Sequence, residues 1–151
     1  MNISEYEKSV LRIVSPIHDL GKIGIADEIL LKPGGLTNEE YEVMKGHATM
    51  GEEIMKRFEI LAEEAKIIRH HHERFDGKGY PDQLAATAIP SSSRIIAVCD
   101  AYDAMTSNRP YRKALSLAEA TEEIKRGSGK QFDPDASEAF ISVLDDGARS
   151  E

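Results

Sequence analysis

The chain has 151 residues, 40% of them hydrophobic and 30% charged, which is the composition of a folded protein long enough to bury a core. Acidic residues outnumber basic ones 27 to 19, a formal net charge of −8, and this is the wrong sign for a groove that tracks a nucleic-acid polymer. Cys99 is the one cysteine, so no internal disulfide can form, and no apolar run approaches the ~18 residues of a membrane span. These features predict a soluble, cytoplasmic protein with no membrane segment, organised as one domain over residues 1–151.

From about Ser4 to Leu20, apolar residues recur at helical spacing (Val10, Ile13, Val14, Ile17), with Pro16 placed to kink or restart the helix. Asp27 to Leu31 predicts a short helical turn, broken by the "KPGG" of Lys32 to Gly35. Thr37 followed by Glu40 is a capping box, which opens a helix running to about Phe58 with His47 in its middle. "LAEEAKIIRHHHE" is a further helix with Leu61, Ala65 and Ile68 on one stripe, and a Gly/Pro-rich loop follows from about Phe75 to Pro90. "SSSRIIAVCDAYDAMTS" reads as an apolar helix, although "RIIAV" alone would also suit a strand. Ser116 with Glu119 is a second capping box, "RGSG" ends that helix, and Asp133 then Pro134 supply the N-cap and first position of a last helix to about Leu144. No segment alternates convincingly with period two, so the predicted fold is an all-α helical bundle.

The five histidines are His18, His47, His70, His71 and His72. Three neighbouring imidazoles cannot share one helix face, because successive positions point about 100° apart. Each histidine alone is more commonly structural than a ligand. Together they sit at helix positions beside small residues or carboxylates, His18 directly before Asp19, and an acid-bearing apolar helix with Asp100 follows. Histidine with aspartate and no paired cysteines suits cations such as Fe, Mn or Zn rather than a structural thiolate site. A buried Asp100 needs partners or a cation, and an N-cap or a salt bridge is the plainer way to satisfy it.

"HDLGKIGIADEILLKPGGLTNEEYEVMKGHATMGEEIM", "HHERFDGKGYPDQL" and "IPSSSRIIAVCDAYDAMTSNRPYRKALS", in this order, resemble the HD-GYP family, a branch of the HD superfamily of metal-dependent phosphohydrolases. The resemblance runs from about Val14 to the C-terminus. It implies an all-helical bundle around two or three divalent metal ions, often iron or manganese, that hydrolyses the bacterial second messenger cyclic di-GMP to pGpG and onward to GMP. Residue by residue, it implies His18, Asp19, His47, His71, His72 and Asp100 as metal ligands, with Asp19 bridging two ions and His70 left over as a surface residue. It places Lys22 near the scissile phosphate, where it would offset developing charge. Arg109 and Arg112 would bind the substrate's phosphates through paired donors. Gly79, Tyr80 and Pro81 form the GYP loop, either a rigid lid-like element packed by Tyr80 or a contact for ligand or partner, with Asp76 holding it. Asp103 would support the ligands from behind.

The chain departs from the family pattern upstream. Only 17 residues precede His18 and none is histidine, while Glu5 and Glu7 match no upstream motif. Two expectations follow: one metal loses a ligand, and an apolar face is left open on which a homodimer would form. The competing readings are a catalytically weak signalling module that binds a partner protein through the GYP loop, and an HD phosphohydrolase acting on another phosphoester.

Overall fold

The computed structural model describes residues 3–58, 61–108 and 113–148, and every regular element within them is helical. Helix α1 (Glu5–Val14) opens on a capping box that the sequence reading did not single out: the Ser4 hydroxyl accepts from the Glu7 amide and the Glu7 carboxylate accepts from the Ser4 amide. The chain tightens into a 3-10 turn at Ser15–Ile17 because Pro16 has no amide to continue the α-helical ladder. A second 3-10 turn, Leu20–Gly24, follows His18 and Asp19, and α2 (Asp27–Leu30) comes next.

The single helix expected from Thr37 to Phe58 is two helices, α3 (Asn38–Lys45) and α4 (His47–Met55). Thr37 and Glu40 cap α3 as expected. The break falls at Gly46, a poor helix former, whose amide bonds the Val43 carbonyl at 3.0 Å instead of reaching a full turn back. His47 is therefore the first residue of α4, not a mid-helix residue.

Helix α5 (Ala62–His70) packs on α4, and α6 (Ser91–Thr106) runs between two apolar cores. The first core joins Val10 and Val14 of α1, Met55 of α4, Ala65, Ile67 and Ile68 of α5, and Ile96 of α6. The second joins Val98 of α6 with Ile124 of α7 (Leu117–Gly127), and with Phe132 and Ala136 at the start of α8 (Pro134–Ala148). A helix with a core on each side must be apolar around most of its circumference, which is why "RIIAV" resembles a strand while lying in a 16-residue helix. Asp133 caps α8, its Oδ1 accepting from the Asp135 and Ala136 amides at 2.7 and 3.4 Å, while Arg94 holds its other oxygen. Among the described residues no helix is long and apolar enough to cross a membrane.

Candidate metal centre

The turn carrying His18 and Asp19 lies directly on α4. A Cβ placed on Gly21 would stand 1.9 Å from the His47 carbonyl oxygen and 2.5 Å from the Gly51 amide nitrogen, so only glycine permits this approach. Gly51 in turn lies against Ile68 of α5, two residues before the histidine run. Backbone contact between the turn and α4, and close packing of α4 on α5, thus bring three distant sequence segments to one point. His47 and His71 are buried there, at 1% and 0% exposure.

Three imidazoles are locked in the same way. Nδ1 of His18, His47 and His71 sits 2.7, 2.7 and 2.5 Å from the carbonyl oxygens of Ser15, Met44 and Ile68. A carbonyl only accepts, so Nδ1 carries a proton, and in the neutral form of each ring Nε2 presents a lone pair. Those lone pairs converge: Nε2 of His47 and His71 lie 3.3 Å apart, and they stand 3.3 and 3.9 Å from Asp19 Oδ1. His18 Nε2 lies 3.6 Å from Asp19 Oδ2 and 3.6 Å from Asp100 Oδ1. His72 completes the group, its ring centroid 4.0 Å from His71 and 4.9 Å from His47. Donor atoms of Asp19, His47, His71 and His72 all fall within 4.8 Å of one another.

Acceptors facing acceptors repel. His18 Nε2 and Asp19 Oδ1 are also buried without a hydrogen bond, a costly state that a cation among them would remove. The donor set, imidazole and carboxylate with no thiolate, fits divalent transition metals.

The protonation states agree with that fit. Burial pushes the Asp19 carboxyl up, but its polar surroundings, the Lys22 ammonium on Oδ2 among them, more than offset it and hold the group below the usual carboxylate range. Burial also raises Asp100, and the His18 and His72 rings again outweigh it. Burial, aided by neighbouring imidazoles, pushes His71 down to about 4 and His72 to about 3. Between the ordinary imidazole value of 6.5 and these lower values, the unfolded chain binds protons that the folded chain refuses. Stability of the metal-free chain therefore falls as pH drops from 6.5 towards 4. Asp100 raises His18 above 6.5, and the opposing slope this produces lies above that pH. Urea melts of chelator-treated protein test the sign: the midpoint should drop across this window, and a flat profile would mean that the rings are solvated.

Lys22, its side chain 38% exposed, meets Asp19 Oδ2 at 2.5 Å at the edge of the group. The Tyr80 ring packs on His72 at 5.0 Å between centroids, and the Tyr80–Pro81 peptide bond is cis. Gly79 is buried where a Cβ would stand 2.3 Å from the Arg74 amide nitrogen, so the GYP loop closes tightly on the turn after α5. Asp76 steadies that loop, accepting from Arg74 at 2.8 and 3.0 Å and from the Lys78 amide at 3.1 Å. Asp103 is exposed and shares with His18 and Asp100 a cleft of about 550 Å³, lined also by Leu11, Ile95 and Cys99. Arg109 and Arg112 lie outside the described residues.

His70 corrects the sequence reading. It is not a spare surface residue: its Nε2 meets Asp82 Oδ2 at 2.9 Å, and its side chain is 13% exposed. Arg69 grips the same carboxylate with two bonds of 2.6 Å and reaches the buried Glu52 at 2.8 Å, while the Asp82 amide donates to Glu73 at 2.7 Å. Asp82, directly after Pro81, is thus the point at which α4 and α5 hold the GYP loop. Arg69→Met should cost about 3 kcal/mol, because it leaves Glu52 with only the exposed Lys56 and releases Asp82. Chemical denaturation measures this, and a loss under about 0.5 kcal/mol would show that the clamp contributes little.

The family model for the HD domain matches residues 2–136. The chain belongs to the HD domain family. This HD domain is 48% identical over 145 residues to the cyclic di-GMP phosphodiesterase of Thermotoga maritima, covering 95% of this chain and 39% of that protein. It is 41% identical over 143 residues to the cyclic di-GMP phosphodiesterase response regulator RpfG of Xanthomonas campestris, covering 93% of this chain and 38% of that one. The chain spans about two fifths of the length of these two relatives. Its fold superimposes with a TM-score of 0.72 on the crystal structure of a cyclic GMP-AMP specific phosphodiesterase from V. cholerae, at 20% identity over 95% of this chain and 40% of that chain. These relatives and the HDLGK and GYP motifs put the HD domain in the HD-GYP branch.

Proposed function

We propose that this HD domain is a metal-dependent phosphodiesterase that opens cyclic di-GMP to pGpG and carries it on to GMP. The observation that carries the proposal is the convergence of locked Nε2 lone pairs on Asp19 and Asp100 beside Lys22. His18, Asp19, His47, His71, His72 and Asp100 would hold two divalent ions, iron or manganese. When bound, such ions supply Lewis acidity to a phosphodiester oxygen and lower the pKa of water.

The chain's own residues divide the remaining work. Burial of His47 and His71 keeps bulk water from behind the centre, and at His71 it also favours the neutral ring that ligation requires. Lys22, held on Asp19, stands where it can pair with a phosphoryl oxygen as negative charge grows there. Tyr80 is kept protonated, chiefly by burial, and presents a phenol at the rim. Arg109 and Arg112 would take the substrate's phosphates, as the resemblance implies. The packing of Tyr80 on His72 favours a part in the site over one in a protein-binding surface. A nucleotide messenger as substrate is consistent with a cytoplasmic location.

The test is incubation of the metal-loaded chain, prepared without a histidine tag in Fe(II) or Mn(II), with cyclic di-GMP and, in parallel, cyclic GMP-AMP. Product chromatography should show pGpG from the first. Preferential turnover of cyclic GMP-AMP would move the substrate to the class named for the V. cholerae structure. No turnover with either metal would overturn the reading in favour of a catalytically inactive module.

A further inference from the structure

Beside the proposed catalytic group lies a second set of side chains that the reaction does not use. Lys45 ends α3, and Tyr41 stands one turn earlier on the same face. The Lys45 ammonium lies 4.9 Å from the centroid of the Tyr41 ring and 5.7 Å from that of Tyr80. Tyr80 in turn packs on His72. A continuous path therefore runs outward from the centre: imidazole, phenol, ammonium, phenol. Its last member is open, Tyr41 being 47% exposed. The recorded ion partner of Lys45 is Glu42, itself 68% exposed, and a pair of that kind is weak and readily exchanged.

A cyclic dinucleotide has two phosphodiesters and two bases, and a centre that engages one phosphodiester leaves the other half to be held elsewhere. The chain carries a formal charge of −8, so an anionic ligand needs cations supplied locally. We propose that Tyr41 and Lys45 form a nucleotide subsite, in which a purine base stacks on the open face of Tyr41 and Lys45 pairs with the phosphodiester that is not being cleaved. This rests on the cyclic-dinucleotide reading above. A compact ammonium suits a singly charged diester, and base–aromatic stacking alone is worth about a tenfold change in affinity. The two rings hold the ammonium in place, so little freedom is lost when the phosphate arrives.

The experiment measures cyclic di-GMP binding by titration calorimetry, and hydrolysis of both cyclic di-GMP and bis(4-nitrophenyl) phosphate, for the wild type and for Tyr41→Ala, Tyr41→Phe and Lys45→Ala. Bis(4-nitrophenyl) phosphate has one diester and no purine. The alanine variants should each weaken cyclic di-GMP binding about tenfold and raise its KM by a similar factor, with kcat within about twofold. Tyr41→Phe should retain wild-type values, and none of the three should alter metal content or hydrolysis of bis(4-nitrophenyl) phosphate. Unchanged cyclic di-GMP affinity in both alanine variants would overturn the subsite. Wild-type binding that depends on Tyr41 and Lys45 without hydrolysis would support the subsite and sink only the phosphodiesterase reading. Failure of the wild type to bind cyclic di-GMP at all would overturn both.

Discussion

Asp19→Asn should empty the centre of cations and lower any hydrolysis of cyclic di-GMP by at least about a thousandfold. The size follows from what the carboxylate does. Its two oxygens lie between the Nε2 atoms of His18, His47 and His71, and Oδ2 also holds Lys22. An amide of the same shape removes the negative charge that bound cations would share, and it releases the lysine. Losing a few kcal/mol of charge stabilisation is enough, since each ~1.4 kcal/mol is tenfold in rate. Elemental analysis after dialysis, paired with the hydrolysis assay, checks both halves. Retained metal with more than a tenth of wild-type turnover would remove Asp19 from the centre.

The second large effect needs no change to a candidate ligand. Gly21→Ala pushes a methyl group into backbone atoms of His47 and Gly51 that cannot step aside as a flexible side chain would. Overpacking against backbone should cost about 3 kcal/mol or more, which for a chain of this size is roughly a 6–12 °C drop in Tm. It should also weaken metal binding, because the displaced turn carries His18 and Asp19 away from His47. Gly34→Ala serves as the control: a Cβ there meets nothing within 4 Å, and its Tm should stay within about 1 °C of the wild type. If Gly21→Ala also melts with the wild type, the contact between turn and helix is not what assembles the centre.

The helical class and the order of helices were legible because their signals are local. Capping boxes at Thr37 and Ser116, the proline at position 16 and the Asp133–Pro134 start each act within one turn of chain. Ser4 with Glu7 is the same kind of signal and was readable on the same terms. The break at Gly46 was less legible, since a glycine inside a helical pattern ends a helix only when the fold uses the bend. Here the bend sets the register that puts His47 at the start of α4.

The six candidate ligands came from motif resemblance, and the structure brings their side chains together. What spacing could not give was the reason for convergence: carbonyl locks at Nδ1 and a bare backbone at Gly21, which depend on conformation rather than residue type. The clamp of Arg69, His70 and Asp82 went unseen for a similar reason. It joins side chains 12 to 17 residues apart, and no local period links an arginine on α5 to a carboxylate after the GYP loop.

The most direct test is anomalous diffraction at the manganese or iron edge from crystals of the metal-loaded chain. Two peaks are expected within bonding distance of the ring nitrogens of His47, His71 and His72 and of the His18, Asp19 and Asp100 side chains. A map with no peak among these residues, from protein that binds the metal in solution, would contradict that expectation.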